Sequence, residues 1–575
     1  MSRKVVLIAL LAAGVFVAPA RAQPVQLIPG TPGLTYQKQA IFTIHGLVGL
    51  NVLTAPRLGG LWSLQPVLSN ELVVGSERLT AIEQRLSPSA TTAGVNGDVV
   101  GPGGRPDGLL ERNGVLDHDP RTARTSIGID GTGALHFDRI SLYGYWQGAK
   151  TRHVFANLNE PPLAGQATLY TPAWGPATPA TAGSVAVVLR PFPTATPNTD
   201  LVGTSAQVVP GGSAAIPPDG AVLVGRGAAG TALQNEAPAG QSVRVRFAEQ
   251  PDWPSAGVTA ALGGGPLLVK NGKAVLNANE SLSPVDLALR EPRTAVGQRA
   301  DGSLLFVTVD GGLPGSGLTN FELAQQLVRL GAVNASALAA GPTSGMAFDG
   351  HLLSAPAGTE QPLADALLVE YAGVYAALPS ALVVSPNNDG VAENETFAYK
   401  VVRPSTVTVQ LRGPDGVFRV NQQSQLQPGT YTLPWNARKA DGTPEQEGAW
   451  AFIVSATDDL GRASSMERDF TLDLTLGSAA PVSPALAVPR AKPRGVATFQ
   501  LTRRARVAER IETTGGAVIR KLGTVTTGPG PLTVTWDGKA ASGASVYGGR
   551  YVAHVTAQSA IGTSDLSATF NVRRK

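Results

Sequence analysis

Two arginines, two aspartates and an asparagine are the residues whose type and setting best suit chemistry. Arg124 and Arg293 each carry a planar guanidinium, a two-pronged donor that matches the oxygens of an anion. Asp310 closes the apolar run Leu304–Val309 and stands before Gly311, a common place for a site acid and equally a turn former. Asn96 and Asp98 flank Gly97 on a turn, where short polar side chains can reach a cleft. Each arginine also has a plainer reading, as the partner of a neighbouring carboxylate.

Other chemistries find little support. The chain has no cysteine, which excludes disulfides, thiolate nucleophiles, cysteine-ligated zinc and iron–sulfur clusters. Its 6 histidines are scattered, with no H-x-x-x-H or H-E-x-x-H pair. Asp117-His118-Asp119 precedes Pro120 and reads as a polar loop rather than a cation site, and Asn387-Asn388-Asp389-Gly390 with Glu393 lacks EF-hand spacing. Gly263-Gly264-Gly265-Pro266 is not followed by the Lys-Ser/Thr of a P-loop, and no G-x-S-x-G elbow occurs. No metal and no cofactor is therefore expected.

The elements that position these residues follow from composition. Gly (67) and Pro (44) together are far above average usage for 575 residues, while charged residues make up 15% and hydrophobic ones 43%. Such a chain is too rich in breakers for a helical bundle and too apolar for disorder, so short strands joined by turns are expected. Leu79, Ile82 and Leu86 have helical spacing within 76–86, and Thr319-Asn320-Phe321-Glu322 is a capping box leading into Leu323, Leu327 and Leu330, with Gly331 as the stop. Strands are expected at Ser184–Leu189, Ala221–Val224, Val243–Phe247 and Leu304–Val309. This mixture predicts an α+β N-terminal domain, a mixed sheet with few helices.

Residues 1–22 read as a secretory signal peptide: Arg3 and Lys4, the apolar run Val5–Val17, then Ala20-Arg21-Ala22 as the cleavage site. The run is shorter than a membrane span needs, so no span is expected after cleavage. Export to the periplasm, cell surface or medium follows. The formal charge of +4 falls to +1 once the basic leader is removed, and no basic run exists beyond Arg573-Arg574-Lys575, which argues against nucleic acid as a partner.

After Pro379 the helical signals stop, and Thr406–Leu411 and Trp450–Ala456 alternate between turn clusters. Trp435-Asn436, Asp441-Gly442 and Gly448-x-Trp450 recur as Trp536-Asp537-Gly538 and Gly549-x-Tyr551, offset by 101 residues. Short strands at that period predict two all-β sandwiches, 376–477 and 478–575, after a first domain at 23–375. Both repeats resemble the Ig-like domain of the flagellar hook-capping protein, carried by Ser385-Pro386-Asn387-Asn388-Asp389-Gly390 and the Trp-Asn/Asp patterns. The resemblance implies spacer or adhesion modules that make cell-envelope contacts.

The first domain carries an ordered set of motifs: Val95-Asn96-Gly97-Asp98, Pro106-Asp107-Gly108-Leu109, Arg124-Thr125-Ser126-Ile127-Gly128, Leu169-Tyr170-Thr171-Pro172-Ala173-Trp174-Gly175, Gly263-Gly264-Gly265-Pro266, Pro292-Arg293-Thr294-Ala295-Val296-Gly297 and Val309-Asp310-Gly311. In order and spacing it resembles the phosphodiester glycosidase family, which hydrolyses a sugar linked through C1 to a phosphodiester. The resemblance implies Arg293, Asn96 and Arg124 as substrate-binding residues and Asp310 and Asp98 as catalytic ones, since the chemistry needs donors for the phosphate and carboxylates for protons or a developing oxocarbenium.

The sequence departs from the family after the capped helix. An Asn-Leu-Asp-Gly-Gly-Gly-Ser pattern is replaced by Ala337-Leu338-Ala339-Ala340-Gly341-Pro342-Thr343, so Ala339 stands at the acid position, Pro342 removes a backbone donor, and Gly312 stands where an arginine often follows Val-Asp-Gly. Two functions remain: an exported hydrolase of sugar-1-phosphodiesters in envelope or exopolysaccharide glycans, or a non-catalytic protein binding glycan or glycosyl phosphate through the same cleft. A structural envelope protein is a third, weaker reading.

Overall fold

The computed structural model describes residues 30–575 apart from 122–123, 156, 276–279, 281–282, 312–316, 388–389, 483–484, 490–491 and 575. The leader at 1–22, Gly312, and Asn388 with Asp389 lie outside the described residues.

The chain is almost entirely β, 53% strand against 9% helix. The α+β expectation for the N-terminal part is thereby corrected. The two expected helices exist, at Leu79–Leu86 and Asn320–Arg329, but they are brief, and the apolar segments around them pair as antiparallel strands. With so many glycines and prolines, few stretches are long enough to propagate a helix, whereas ladder pairing tolerates short segments separated by turns.

Up to Tyr371 the strands form four sheets. One is seven-stranded, in the order Thr35–Thr43, Gly46–Ala55, Leu304–Val309, Thr294–Arg299, Ala332–Ala337, Leu267–Lys270, Lys273–Ala274. A five-stranded sheet contains Met346–Phe348, Thr91–Asn96, Asp365–Tyr371 and Trp62–Leu68, and another contains Leu110–Arg112, Val258–Gly263 and Thr125–Asp130. An eight-stranded sheet begins Arg152–Phe155, Ser141–Gln147, Ser242–Gln250, Asp200–Pro210. The first three sheets share a core of Leu53, Val95, Ile127, Leu262, Phe306 and Leu367.

The helix Asn320–Arg329 begins with the capping box foreseen in the sequence: the Thr319 hydroxyl accepts from the Glu322 amide while the Glu322 carboxylate accepts from the Thr319 amide. Its Leu323, Ala324 and Leu327 bury against Leu268 and Val307 of the seven-stranded sheet. Gly331 ends it at φ 89°, a conformation that favours glycine.

Beyond Val374 the chain forms two units, each a three-stranded and a five-stranded sheet traced in the same strand order. Their equivalent aromatics occupy equivalent places. Trp435 packs on Trp450 with ring centroids 4.8 Å apart, and Trp536 on Tyr551 at 5.6 Å. The first unit is fastened to the sheets before it. The buried Lys400 ammonium lies 2.6 Å from Asp349 Oδ1 and also donates to Ser87 Oγ and Ala90 O, and Phe348 meets Tyr375 edge-on at 5.8 Å.

Candidate functional site

The strand Thr91–Asn96 is buried along its whole length and ends at the turn that carries Asn96 and Asp98. Asn96 Nδ2 donates to Ala339 O (3.0 Å) and Gly97 O (3.2 Å), while its Oδ1 accepts from Thr294 Oγ1 (2.6 Å) and the Gly345 amide (3.0 Å). Both donors and both lone pairs are engaged. Asn96 thus clips the 339–345 segment to two strands.

Asp98 is 2% exposed. Arg124 Nη2 donates to Asp98 Oδ1 at 3.2 Å and to Asp107 Oδ2 at 3.0 Å. The other Asp98 oxygen sits in the crook between Gly108 and Gly263, where a side chain on either glycine would collide with it. Burial pushes the Asp98 carboxyl above its ordinary range, opposed by the Arg124 charge. Behind it lies Asp365, which sequence reasoning missed. Asp365 is wholly buried, its Oδ1 accepts from the Asp98 amide at 2.7 Å, and its Oδ2 has no hydrogen-bond partner among the described residues. Burial, then the Asp98 charge, push it up to about 8, so it holds a proton at neutral pH. The signal in the sequence was a single acid in the apolar run Leu363-Ala364-Asp365-Ala366-Leu367.

Gly108 connects this row to a second polar layer. Its carbonyl lies 2.9 Å from His118 Nδ1, whose Nε2 lies 3.2 Å from Glu160 Oε1, which also receives Arg105 Nε at 3.0 Å. Burial opposes the imidazolium, yet the Glu160 bond and the Asp119 charge outweigh it and raise the His118 pKa. Asp117 takes Arg112 Nε at 2.6 Å and Asp119 accepts the Leu158 amide at 3.0 Å, so this loop is a closed network of protein groups. Among the described residues no group of three or more His, Asp or Glu is arranged to hold a metal.

A cleft of about 420 Å³ opens beside Arg124 and is lined further by Asp107, Glu291, Arg293, Leu338 and Ala339. Glu280, buried beneath the Gly265-Pro266 turn, accepts from the Thr125 amide (2.8 Å), Thr125 Oγ1 (2.7 Å) and the Leu267 amide (2.8 Å), fixing that wall. Glu291 and Asp286 are cleft carboxyls overlooked in the sequence, Glu291 hidden beside the more conspicuous Arg293. Burial raises the Glu291 pKa and the adjacent Arg293 charge moderates the rise.

Arg293 is 4% exposed and largely committed to protein. Nε donates to Leu318 O (2.7 Å), Nη1 to Asn320 Oδ1 (2.9 Å), Nη2 to Leu289 O (2.7 Å), and Glu291 Oε1 is 3.2 Å away. It holds the start of the capped helix against the cleft wall.

Asp310 lies away from this cleft. Its Oδ1 accepts from Asn51 Nδ2 (2.6 Å) and the Ala355 amide (2.8 Å), and its Oδ2 pairs with Lys38 Nζ at 3.0 Å. It ties the Leu304–Val309 strand to the first hairpin and to the 355 loop. Of the five sequence candidates, the structure brings Asn96, Asp98, Arg124 and Arg293 to one region and leaves Asp310 outside it.

Comparison with known proteins finds that residues 195–370 match the family described as phosphodiester glycosidase, a span that includes Glu291, Arg293, Ala339 and Asp365 but not Asn96, Asp98 or Arg124. The particular relatives are less informative. An uncharacterized SPbeta prophage-derived protein of Bacillus subtilis (strain 168), YomE, is 36% identical over 88 residues, 15% of this chain and 14% of that protein. The crystal structure of a hypothetical protein from Synechocystis is similar at 27% identity and TM-score 0.51, over 61% of this chain and 64% of that one. The catalytic domain of zebrafish N-acetylglucosamine-1-phosphodiester alpha-N-acetylglucosaminidase, auto-inhibited by its pro-peptide, aligns at 13% identity and TM-score 0.31, over 61% and 87% of the two chains. The chain thus spans a small part of the Bacillus relative and just under two thirds of the Synechocystis one.

No helix among the described residues is long and apolar enough to cross a membrane.

Proposed function

We propose that the chain is an exported hydrolase of phosphodiester glycosidase type, acting on sugar-1-phosphodiester linkages of envelope or exopolysaccharide glycans. One observation carries the reading: Arg124, Asp107, Glu291 and Ala339 meet on a single cleft, much of which is built by the segment that matches the family. In this arrangement Arg124, held by Asp98 and Asp107 yet 15% exposed, faces the phosphodiester and offsets the charge that grows on the leaving phosphate. Glu291, whose proton is retained to higher pH than an ordinary glutamate's, is placed to protonate the leaving oxygen. Asp98, braced by Asp365, keeps Arg124 in place. The signal-like leader supports export, and the two C-terminal units serve as spacers toward the envelope.

A second reading is favoured by one residue. Ala339 lines the cleft where the family pattern has an aspartate, and an alanine can neither move a proton nor stabilise a cation. A chain that binds glycosyl phosphate without cleaving it fits that cleft equally well.

The test is release of free sugar from an N-acetylglucosamine-1-phosphodiester by the purified full-length mature chain, beside Arg124→Ala. Turnover that falls in the variant supports the hydrolase. Binding without turnover, measured by calorimetry, supports the second reading. The absence of both overturns the assignment of the cleft.

A further inference from the structure

Over four neighbouring strands, Arg152–Phe155, Ser141–Gln147, Ser242–Gln250 and Asp200–Pro210, the eight-stranded sheet turns one face to solvent. Along Ser141–Gln147, Trp146 points inward and is 1% exposed, whereas Tyr143 is 64% exposed. On the adjoining strand Ser242–Gln250 the residues Val243, Val245 and Phe247 are buried and Arg244 and Arg246 face out. The register sets Arg246 beside Tyr145 and Arg244 beside Gln147, with Asp200 and Val202 next in line, while on the other side Arg152 pairs with Gln147 and Val154 with Tyr145.

The groups on this face are pre-arranged. The Arg152 guanidinium lies 4.0 Å from the centre of the Tyr145 ring, a cation–π contact that holds both side chains in one place. Tyr145 and Arg246 both reach Asp200 Oδ1, at 3.5 and 3.1 Å, and Arg244 lies 3.3 Å from Asp200 Oδ2. Arg244 remains about half exposed. Three arginines against one aspartate leave the face cationic, and its rings and Val154, 83% exposed, leave it apolar in patches.

We infer that this face is a second binding surface, for an extended anionic polysaccharide. From Tyr143 to Gln147 the strand runs about 13 Å, and four strands span roughly 14 Å across, a flat strip that suits a run of sugar rings rather than a single small molecule. The exposed Tyr143 ring offers a face on which the apolar side of a pyranose stacks, and guanidinium forks take sugar carboxylates or bridging phosphates in two-pronged contacts. The modest net charge suits a polymer with one charge per sugar or fewer better than a densely charged nucleic acid. The choice of a glycan as occupant rests on the glycan-directed reading of the cleft above; the geometry of the face does not. A surface of this kind would keep the chain on the polymer whose linkages the cleft meets.

Affinity electrophoresis of the full-length mature chain through gels containing alginate, neutral dextran or single-stranded DNA tests the inference. Retardation by alginate and not by dextran is expected. It should weaken at least about tenfold in Arg152→Ser/Arg244→Ser/Arg246→Ser, and clearly in Tyr143→Ala, whose side chain is mostly exposed and whose loss should leave the melting temperature unchanged. Absence of retardation, retardation unchanged in both variants, or retardation by DNA as strong as by alginate each overturns it. The two sites are separable: sugar-phosphodiester turnover should be unaltered in these variants. Loss of polymer binding with turnover intact would mark the face alone, and polymer binding in a chain without turnover would reject the hydrolase reading alone.

Discussion

The Asp98 amide donates to Asp365 Oδ1 at 2.7 Å, and this bond brings together two carboxyl groups that the interior cannot hold ionised together. Arg124 compensates Asp98; nothing among the described residues bonds the second Asp365 oxygen. The pair therefore divides its protonation, with Asp98 beside the cation and Asp365 neutral behind it.

Stability should accordingly fall with rising pH. Asp365 goes from an ordinary 3.8 to about 8 on folding, and Glu249, pushed up by burial and then by nearby Glu111, goes from 4.5 to about 8. Folded values above unfolded ones mean that the fold binds the extra protons. Their contribution is complete below about pH 4 and is lost as pH rises through about 8. From about neutral to mildly alkaline pH, above the range in which the carboxylates lowered by the fold, such as Asp130 and Glu160, become protonated, calorimetric melting should show a declining temperature, and Asp365→Asn and Glu249→Gln should each flatten the decline. A melting temperature that rises across this range would be inconsistent with buried neutral carboxyls.

Arg293 and Arg124 should separate in their variants. Arg293→Ala removes a buried cation that holds Leu318, Asn320 and Leu289, at a cost of about 3–5 kcal/mol, so its loss of function should come with a large drop in denaturation midpoint. Arg124→Ala should cost about 1–3 kcal/mol and chiefly lower kcat for a sugar phosphodiester, because the charge it offsets grows in the transition state. Urea melts beside kinetics decide the matter. Equal melting effects from the two would argue against the division.

Asp310→Asn should behave as a stability variant. It weakens the Lys38 pair and the bonds from Asn51 and the Ala355 amide, which amounts to about 1–3 kcal/mol, and it touches nothing in the cleft. KM and kcat for sugar release, measured below the melting transition, should equal those of the parent. A selective fall in kcat would return Asp310 to the reaction.

Ala339→Asp restores a carboxylate to the cleft wall, where the neighbouring backbone is already fixed by Asn96 through Ala339 O. Sugar release should rise by roughly 100-fold if charge stabilisation is what the parent lacks. An unchanged rate in a properly folded variant would assign the parent's limit to the Gly341-Pro342 turn.

Much of the local structure was legible in the sequence. The Thr319 capping box is present in full, and the strands Ser184–Leu189 and Leu304–Val309 fall on the short apolar runs expected to form them. Their signals are local, set by neighbours a few residues away. The Trp435 and Trp536 repeats likewise return as units with one strand order. The balance of helix and strand was misjudged because single-turn helical spacing and short buried strands look alike in a breaker-rich chain.

The site was legible in its cations and much less in its acids. Asn96, Asp98, Arg124 and Arg293 lie close in space, yet sequence cannot show that the hydrogen-bonding capacity of Asn96 and most of that of Arg293 is spent on protein. Asp365 and Glu291 acquire their character from burial, a property of strands distant in the chain. Asp310 drew notice by its place at a strand end, and its partners Lys38 and Asn51 come from a hairpin more than 250 residues earlier.

Lys400 gives the attachment of the first C-terminal unit a mechanical meaning. Its ammonium grips Asp349, one residue beyond the strand Met346–Phe348, which is laddered to Val95 of the strand that carries Asn96. A pull on that unit reaches the strand Thr91–Asn96 by two routes: through the covalent link Ala372-Gly373 into the strand Asp365–Tyr371, which is laddered to it, and through the Lys400–Asp349 pair. The Asn96 clip on the cleft wall therefore sits on a strand that both routes load, and parting Lys400 from Asp349 would leave the covalent route to bear the whole pull.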